Sequence, residues 1–250
     1  MVLVFANQKG GVGKTTSAVN IAAGVGALDK KVLLLDSDPQ CNASSAVGIL
    51  RRRSSASVYD VLIGRANVKE AVVRTGFKGL DVLPSSSSLA GAEFELADLD
   101  RRERRLADAI DGIKGDYDYI MIDCPPSLGL LTVNALVAGD GVIIPMQCEY
   151  FALEGLSQIT STISKIRKLY NPALALSGIL FTMYNGRLNL SLQIVDEIKK
   201  YYKDKILLPP VPRSVRISEA PSHGKPIQYY DRYSKGAEAY DLLSKEILKL

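Results

Sequence analysis

Apolar residues follow two patterns along this chain. Short unbroken runs, such as Val2-Leu3-Val4-Phe5 and Val32-Leu33-Leu34-Leu35, alternate with longer stretches in which apolar positions return every three or four residues. Unbroken runs read as strands buried on both faces, and the periodic stretches as amphipathic helices lying against them. The runs predict strands at 2–6, 31–36, 80–83, 117–123, 141–146, 176–183 and 206–211. Helical spacing falls between them, at 15–28, 102–113, 127–138, 153–169, 190–203 and 236–248. This alternation predicts an α/β fold, a single domain over 1–250 with a mostly parallel twisted sheet and helices on both faces. No linker divides it: Ser85-Ser86-Ser87-Ser88 is a short polar loop, and no internal repeat is present. Ligands of such sheets bind beyond the carboxyl ends of the strands. The residues that follow the strand runs are therefore the candidates for chemistry.

The first strand run leads into Lys9-Gly10-Gly11-Val12-Gly13-Lys14-Thr15-Thr16, and a helix follows. A glycine-rich turn between strand and helix lets backbone N–H groups converge on anionic oxygens, and the helix N-terminus adds its positive end. In such a loop Lys14 reaches the β- and γ-phosphates of a nucleotide, and the Thr15 hydroxyl ligates Mg²⁺. The usual spacing, G-x-x-x-x-G-K-[ST], is altered in two ways: Gln8 stands where its first glycine would be, and a second lysine, Lys9, opens the loop. Lys14 suffices for the phosphates of its own nucleotide. Lys9 needs another anion: a nearby carboxylate, the same nucleotide, or a nucleotide held by a facing subunit.

Two further strand runs end in carboxylates. Asp123 closes Tyr119-Ile120-Met121-Ile122 and precedes Cys124-Pro125-Pro126, where it can hold Mg²⁺, often through water, or cap the turn. Asp36 and Asp38 follow the second strand, before Pro39. Asp36 either assists the metal shell or caps that turn.

Composition narrows the classes. With 47 % hydrophobic residues the chain can bury a full core, and its net charge of +4 is too modest to announce a nucleic-acid binder without a local patch. Cys41, Cys124 and Cys148 lack metal-binding spacing and suit reduced cytosolic thiols. A lone histidine, His223, argues against triad or histidine–metal chemistry. No signal peptide and no spanning apolar run is present, so a secreted or membrane-spanning product is not expected.

The loop and three further blocks together resemble the ParA/MinD family of P-loop ATPases. Lys9 to Thr16 is similar to its deviant Walker A motif, the P-loop of this chain. Val32 to Asn42 resembles its second block, and 119–123 its Walker B strand. Pro212 to Pro226 resembles the C-terminal block of the chromosomal Soj/ParA branch. The likeness covers essentially the whole chain.

The resemblance implies ATP hydrolysis with Mg²⁺ and slow basal turnover. Lys9, Lys14 and Asp38 would be the catalytic residues, with Asp38 orienting the attacking water. Gly10, Gly11, Val12, Gly13, Thr15 and Thr16 would complete the cradle, with Thr15, Asp38 and Asp123 around the metal. Lys9 would cross to the nucleotide of a second protomer, making ATP the glue of a sandwich homodimer, and Gly10 and Gly11 would permit the close approach of the two loops. Pro212 and Arg213 match the block that flanks adenine in relatives, although Ser214 stands where asparagine is common. Thr182-Met183-Tyr184 either lines the same pocket or is simply a strand end.

Arg187 and Arg216, within 185–216, match positions that contact DNA in the Soj branch. Arginine suits phosphate, which carries no sequence information. Lys199, Lys200, Lys203 and Lys205 either widen that patch or form a solvated face with Asp196, Glu197 and Asp204, and Arg51-Arg52-Arg53 poses the same choice. No helix-turn-helix precedes the loop, so binding to double-stranded DNA is expected to be non-specific. The resemblance further implies a ParB-type partner and a cytoplasmic, nucleoid-associated protein. An alternative is a MinD-like membrane-associated ATPase of division-site placement. It needs a basic amphipathic C-terminal helix, whereas Asp241 to Leu250 has apolar positions suited to packing on the domain. Stable membrane binding is not expected. An iron–sulfur carrier of the same superfamily would need paired cysteines, which Cys124 and Cys148 do not offer.

Overall fold

A computed structural model describes residues 1–49 and 56–250 of the chain; the basic run Arg51-Arg52-Arg53 lies outside the described residues. The chain enters through β1 (Val2–Phe5), passes the glycine loop into α1 (Lys14–Ala27) and returns along β2 (Val32–Asp36). Short helices that no predicted element covers come next: α2 (Asn42–Ala46), α3 (Val58–Leu62) and α4 (Val68–Ala71). Then come β3 (Val73–Arg74), β4 (Leu80–Leu83) and α5 (Leu89–Ala97), the last also unpredicted. Regular alternation follows, through α6 (Arg105–Asp111), β5 (Tyr119–Asp123), α7 (Leu130–Ala138), β6 (Gly141–Met146) and α8 (Ala152–Leu169). It continues with β7 (Ala175–Phe181), α9 (Asn189–Tyr202) and β8 (Ile206–Leu207). The chain ends in α10 (Val215–Glu219), α11 (Ile227–Tyr230) and α12 (Lys235–Ile247).

The strands form one eight-stranded sheet among the described residues, in the order β3-β4-β2-β5-β1-β6-β7-β8. Every pairing is parallel except β3 with β4, an antiparallel edge. The predicted strand at 206–211 shrinks to Ile206–Leu207. Pro209 and Pro210 offer no N–H to a ladder, so the pairing is interrupted and resumes only at Val211, whose N–H donates to Phe181 O at 2.8 Å. The predicted helix at 102–113 likewise becomes a 3-10 turn, Arg102–Arg104, followed by α6.

The pleat sorts each strand between two cores. Leu3 and Phe5 face a core shared with α1 and α12, whereas Val2 and Val4 face the opposite one, shared with α7 and α8. This is why the strands read as unbroken apolar runs. Helix α12 lies on α1 so closely that a Cβ at Gly24 would stand 2.1 Å from Ser244 Oγ. Its apolar face, with Ala237, Tyr240, Leu243 and Ile247, is buried.

The sheet brings the carboxyl ends of β1, β2 and β5 side by side, with Phe5 beside Asp123 and Asp36 beside Asp123 in register. The glycine loop and the three aspartates thus meet at one edge.

Candidate functional site

The loop from Ala6 to Gly13 joins β1 to α1 and is pinned by the neighbouring strand ends. Asn7 Nδ2 donates to Pro145 O at 2.9 Å, and Asn7 Oδ1 accepts from Lys9 N at 3.1 Å. Gln147 Nε2 donates to Gly11 O at 2.9 Å, and Thr182 Oγ1 to Val12 O at 2.7 Å. Gly13, the residue before α1, has φ +83°, a left-handed conformation that glycine adopts without steric penalty. No side chain caps α1, so its first N–H groups remain available to an anion.

Lys14 is buried, 6 % exposed, and its ammonium donates to Lys9 O at 3.1 Å. Burial lowers its pKa, and Asp123 opposes that shift most strongly among the nearby charges. Asp123 itself has no exposure, and neither of its carboxylate oxygens has a partner of good hydrogen-bond geometry. The Thr15 hydroxyl stands beside it and eases the charged form, but burial, reinforced by Asp36, drives its pKa well above the usual carboxylate range. An unsatisfied buried carboxylate is costly in the ionised state. A divalent cation held between Asp123 and the Thr15 hydroxyl would remove that cost, so these residues fit magnesium.

Asp36 and Asp38 divide their tasks. Asp36 accepts from Ser44 N at 2.8 Å, Ser44 Oγ at 2.6 Å and Asp38 N at 3.2 Å. It therefore ties β2 to α2, as the turn-capping alternative expects. Burial nevertheless pushes its pKa up to about 6. Asp38 accepts from Gln40 N at 2.9 Å through one oxygen and is 6 % exposed. Its charge acts on both Lys14 and Asp123, so it stands near both.

Lys9 points away from this interior. Its ammonium pairs with the Glu149 carboxylate just after β6, and the two side chains are 46 % and 49 % exposed. Of the three anions that the sequence allowed for Lys9, the resting chain supplies the carboxylate. Gly10 and Gly11 lie beside it at the surface. A Cβ at Gly10 would meet only Pro126 Cβ, at 3.9 Å, and one at Gly11 would meet nothing within 4 Å. The chain's own packing therefore does not demand glycine at Gly10; Gly11, at φ +73°, is required by its backbone conformation.

A cavity of about 220 Å³ opens from Gly13 and Thr16, and Pro212 and Arg213 line it. Thr182 and Met183 line it too, whereas Tyr184 lines a neighbouring cavity instead. Met183 has φ +48°, unusual for a side chain of this size, and its sulfur accepts from Gln147 Nε2 at 3.2 Å. Tyr240 closes the floor from α12, 3.3 Å from Ser17 Oγ.

Arg187 is exposed on an Asx turn before α9, where Asn185 Oδ1 accepts from Arg187 N at 3.1 Å. Arg216, on α10, is exposed but engaged: Nη1 lies 3.1 Å from Glu219 and Nε 3.4 Å from Asp231. Lys199 and Lys200 pair with Asp196 and Glu197 on their own helix, which favours a solvated face at those two positions.

Sequence reasoning missed Glu149, Gln147 and Asn7. Glu149 sits three residues past an apolar strand at a position with no motif of its own. Only the need of Lys9 for an anion pointed to such a group.

A glycine loop opening onto an uncapped helix, a buried lysine and a buried strand-end aspartate define a P-loop nucleotide hydrolase. A family model described as an AAA domain matches residues 1–176. The sporulation initiation inhibitor protein Soj of Bacillus subtilis is 51 % identical over 98 % of this chain and 97 % of its own. The chromosome partitioning protein ParA of Myxococcus xanthus is 48 % identical over 99 % of this chain and 88 % of its own. Among solved structures, one described as cobyrinic acid a,c-diamide synthase from Mycobacterium smegmatis, with bound ATP analog and magnesium, superposes with TM-score 0.86 at 38 % identity. That superposition covers 99 % of this chain and 94 % of the other. This chain belongs to the ParA/MinD superfamily of P-loop ATPases and, within it, to the Soj/ParA branch.

Proposed function

We propose that this protein is an ATP-driven DNA-partitioning switch. It binds ATP, forms a face-to-face homodimer, holds double-stranded DNA without reading its sequence, and lets go after hydrolysis stimulated by a ParB-type partner. The observation that carries this reading is Lys9: a second lysine at the exposed rim of a loop whose own phosphates Lys14 already serves. Its pair with Glu149 is about half exposed, and such pairs contribute only about 0–1 kcal/mol. A γ-phosphate on a facing protomer can therefore draw Lys9 away. The names of the relatives, a chromosome partitioning protein among them, agree with the reading.

Within one protomer, Lys14 and the N–H groups of Gly10 to Thr16 grip the phosphates, while Pro212 and Arg213 flank the base. Thr15, Asp38 and Asp123 would hold magnesium, which would supply countercharge to the phosphates. Asp38 orients the attacking water. Asp36 is engaged with Ser44 and Asp38 N, which fits slow turnover until a partner acts. The protein would work in the cytoplasm on the nucleoid. A MinD-like role on a membrane is less well supported: the apolar face of α12 is buried against α1.

Lys9→Ala should keep nucleotide but lose the ATP dimer. Sizing by light scattering with ATP and magnesium tests this, and ATP-dependent dimers at wild-type concentration would remove the cross-subunit role.

For DNA, Arg187 and Arg216 of one chain neutralise about two phosphates, a weak hold at physiological salt. A dimer carries two such patches, and the second binds at high effective concentration. ATP should thus switch DNA binding on, with log K falling against log salt at a slope of roughly −3.6 for about four phosphates. Arg187→Glu should abolish binding and leave the ATP dimer intact. Titration with ATP, with ADP and without nucleotide decides the matter. Equal affinity in all three states, or strong preference for one short sequence, would refute the coupling.

A further inference from the structure

Arg187 and Arg216 are assigned the same task above, yet the fold treats them differently. Arg187 has no ion-pair partner among the described residues, whereas Arg216 lies between two carboxylates from separate elements. Glu219 is one turn further along α10, and Asp231 follows α11. Glu219 is itself held, since Tyr230 Oη donates to the same oxygen at 3.2 Å. Tyr230 in turn stacks on His223, with ring centroids 4.9 Å apart. Two carboxylates on one guanidinium leave the cluster with a formal surplus of one negative charge.

A carboxylate and a phosphate ask the same thing of arginine: paired oxygens in the plane of the guanidinium fork. Glu219 accepts from Nη1 and Asp231 lies 3.4 Å from Nε, so a phosphate that takes either paired edge of the fork competes with one of these carboxylates. We propose that Glu219, supported by Asp231, is a built-in competitor for DNA phosphate at Arg216, and that it keeps the hold of each single patch weak. This rests on the DNA-binding reading of Arg216. The side chains of Arg216, Glu219 and Asp231 are 58 %, 41 % and 32 % exposed, so water weakens both pairs and a phosphate can open them. Displacement should lower DNA affinity by up to about fivefold per arginine, the scale of an exposed ion pair. In a dimer the two patches multiply, giving up to about 25-fold. The consequence is release: once hydrolysis separates the protomers, each is left with a patch too weak to stay on DNA.

The test is Glu219→Gln, which keeps an acceptor for Tyr230 and removes the charge, with Asp231→Asn as an independent second variant. Affinity for a random-sequence DNA duplex is measured by titration in ATP, alongside ATP-dependent dimerisation as a check that the fold is intact. The expected result is a roughly three- to 25-fold tighter dissociation constant, with slower loss from DNA after ATP is exchanged for ADP. The gain should vanish in Glu219→Gln combined with Arg216→Ala. Unchanged or weaker DNA binding by intact dimers of both variants would overturn the competitor and leave the DNA reading standing. A gain that persists without Arg216 would do the same, because it would reflect net charge alone. Wild-type ATP dimers that do not bind DNA would overturn both.

Discussion

Lys14→Ala is expected to bind no ATP at concentrations that saturate the wild-type chain, a loss of at least about 100-fold. Removing one member of a buried charge pair costs about 3–5 kcal/mol, because the remaining charge is left without a partner in low dielectric. Here the remaining charge is the phosphate chain, in a cradle where Lys14 is the buried cation. Lys9 cannot substitute, because its ammonium lies at the surface on Glu149. The variant should still fold. In the nucleotide-free chain the Lys14 ammonium donates to one carbonyl and is penalised by burial, so its removal also relieves a desolvation cost. Thermal unfolding with and without MgATP separates the two effects. The wild-type chain gains about 2.7 kcal/mol at a ligand concentration 100 times Kd, whereas the variant should gain nothing from ligand. Unchanged ATP affinity would mean that the loop is not the phosphate site.

The parts of this molecule visible in its sequence are those where one physical demand acts on consecutive residues. The parallel strands β1, β2, β5 and β6 are buried on both faces, so their sequences are unbroken apolar runs that appear at nearly the predicted positions. Helices α3 and α4 have only five and four residues, too few for a 3.6-residue period to declare itself. Helix α5, at nine residues, buries only Leu89, Ala92 and Leu96. The antiparallel β3 edge is two residues long and half exposed or exposed, so it carries no strand pattern. In the site, the loop and the strand-end aspartates were legible because glycines, a lysine and carboxylates stand where a strand must end. The tie from Asp36 to Ser44 and the pair of Arg216 with Asp231 were not. Each joins residues from separate turns and depends on how short helices dock, which no local spacing encodes.

Asp38→Ala is expected to bind ATP as tightly as the wild-type chain, accumulate as the ATP dimer, and turn over at least about 100-fold more slowly. Positioned groups that direct or deprotonate an attacking water typically contribute 10²–10⁴-fold, and Asp38 is the carboxylate near Lys14 and Asp123 that has no structural duty of comparable weight. Asn7, Gln147 and Thr182 hold the loop without it. Its own side chain accepts one hydrogen bond, from Gln40 N, whose loss costs about 1 kcal/mol. The turn survives, because the bond from Cys41 N to Asp38 O is backbone to backbone. Asp36 is the residue to compare. It holds both the N–H and the hydroxyl of Ser44, so Asp36→Ala should loosen α2 and lower stability along with turnover. A fall in turnover at unchanged thermal stability is therefore the signature that belongs to Asp38. Steady-state hydrolysis, ATP affinity and sizing with ATP make the decisive set. Normal turnover in Asp38→Ala would transfer the water-orienting role, with Asp36→Asn the next variant to measure, since it keeps the shape of the side chain and an acceptor for Ser44 while removing the charge.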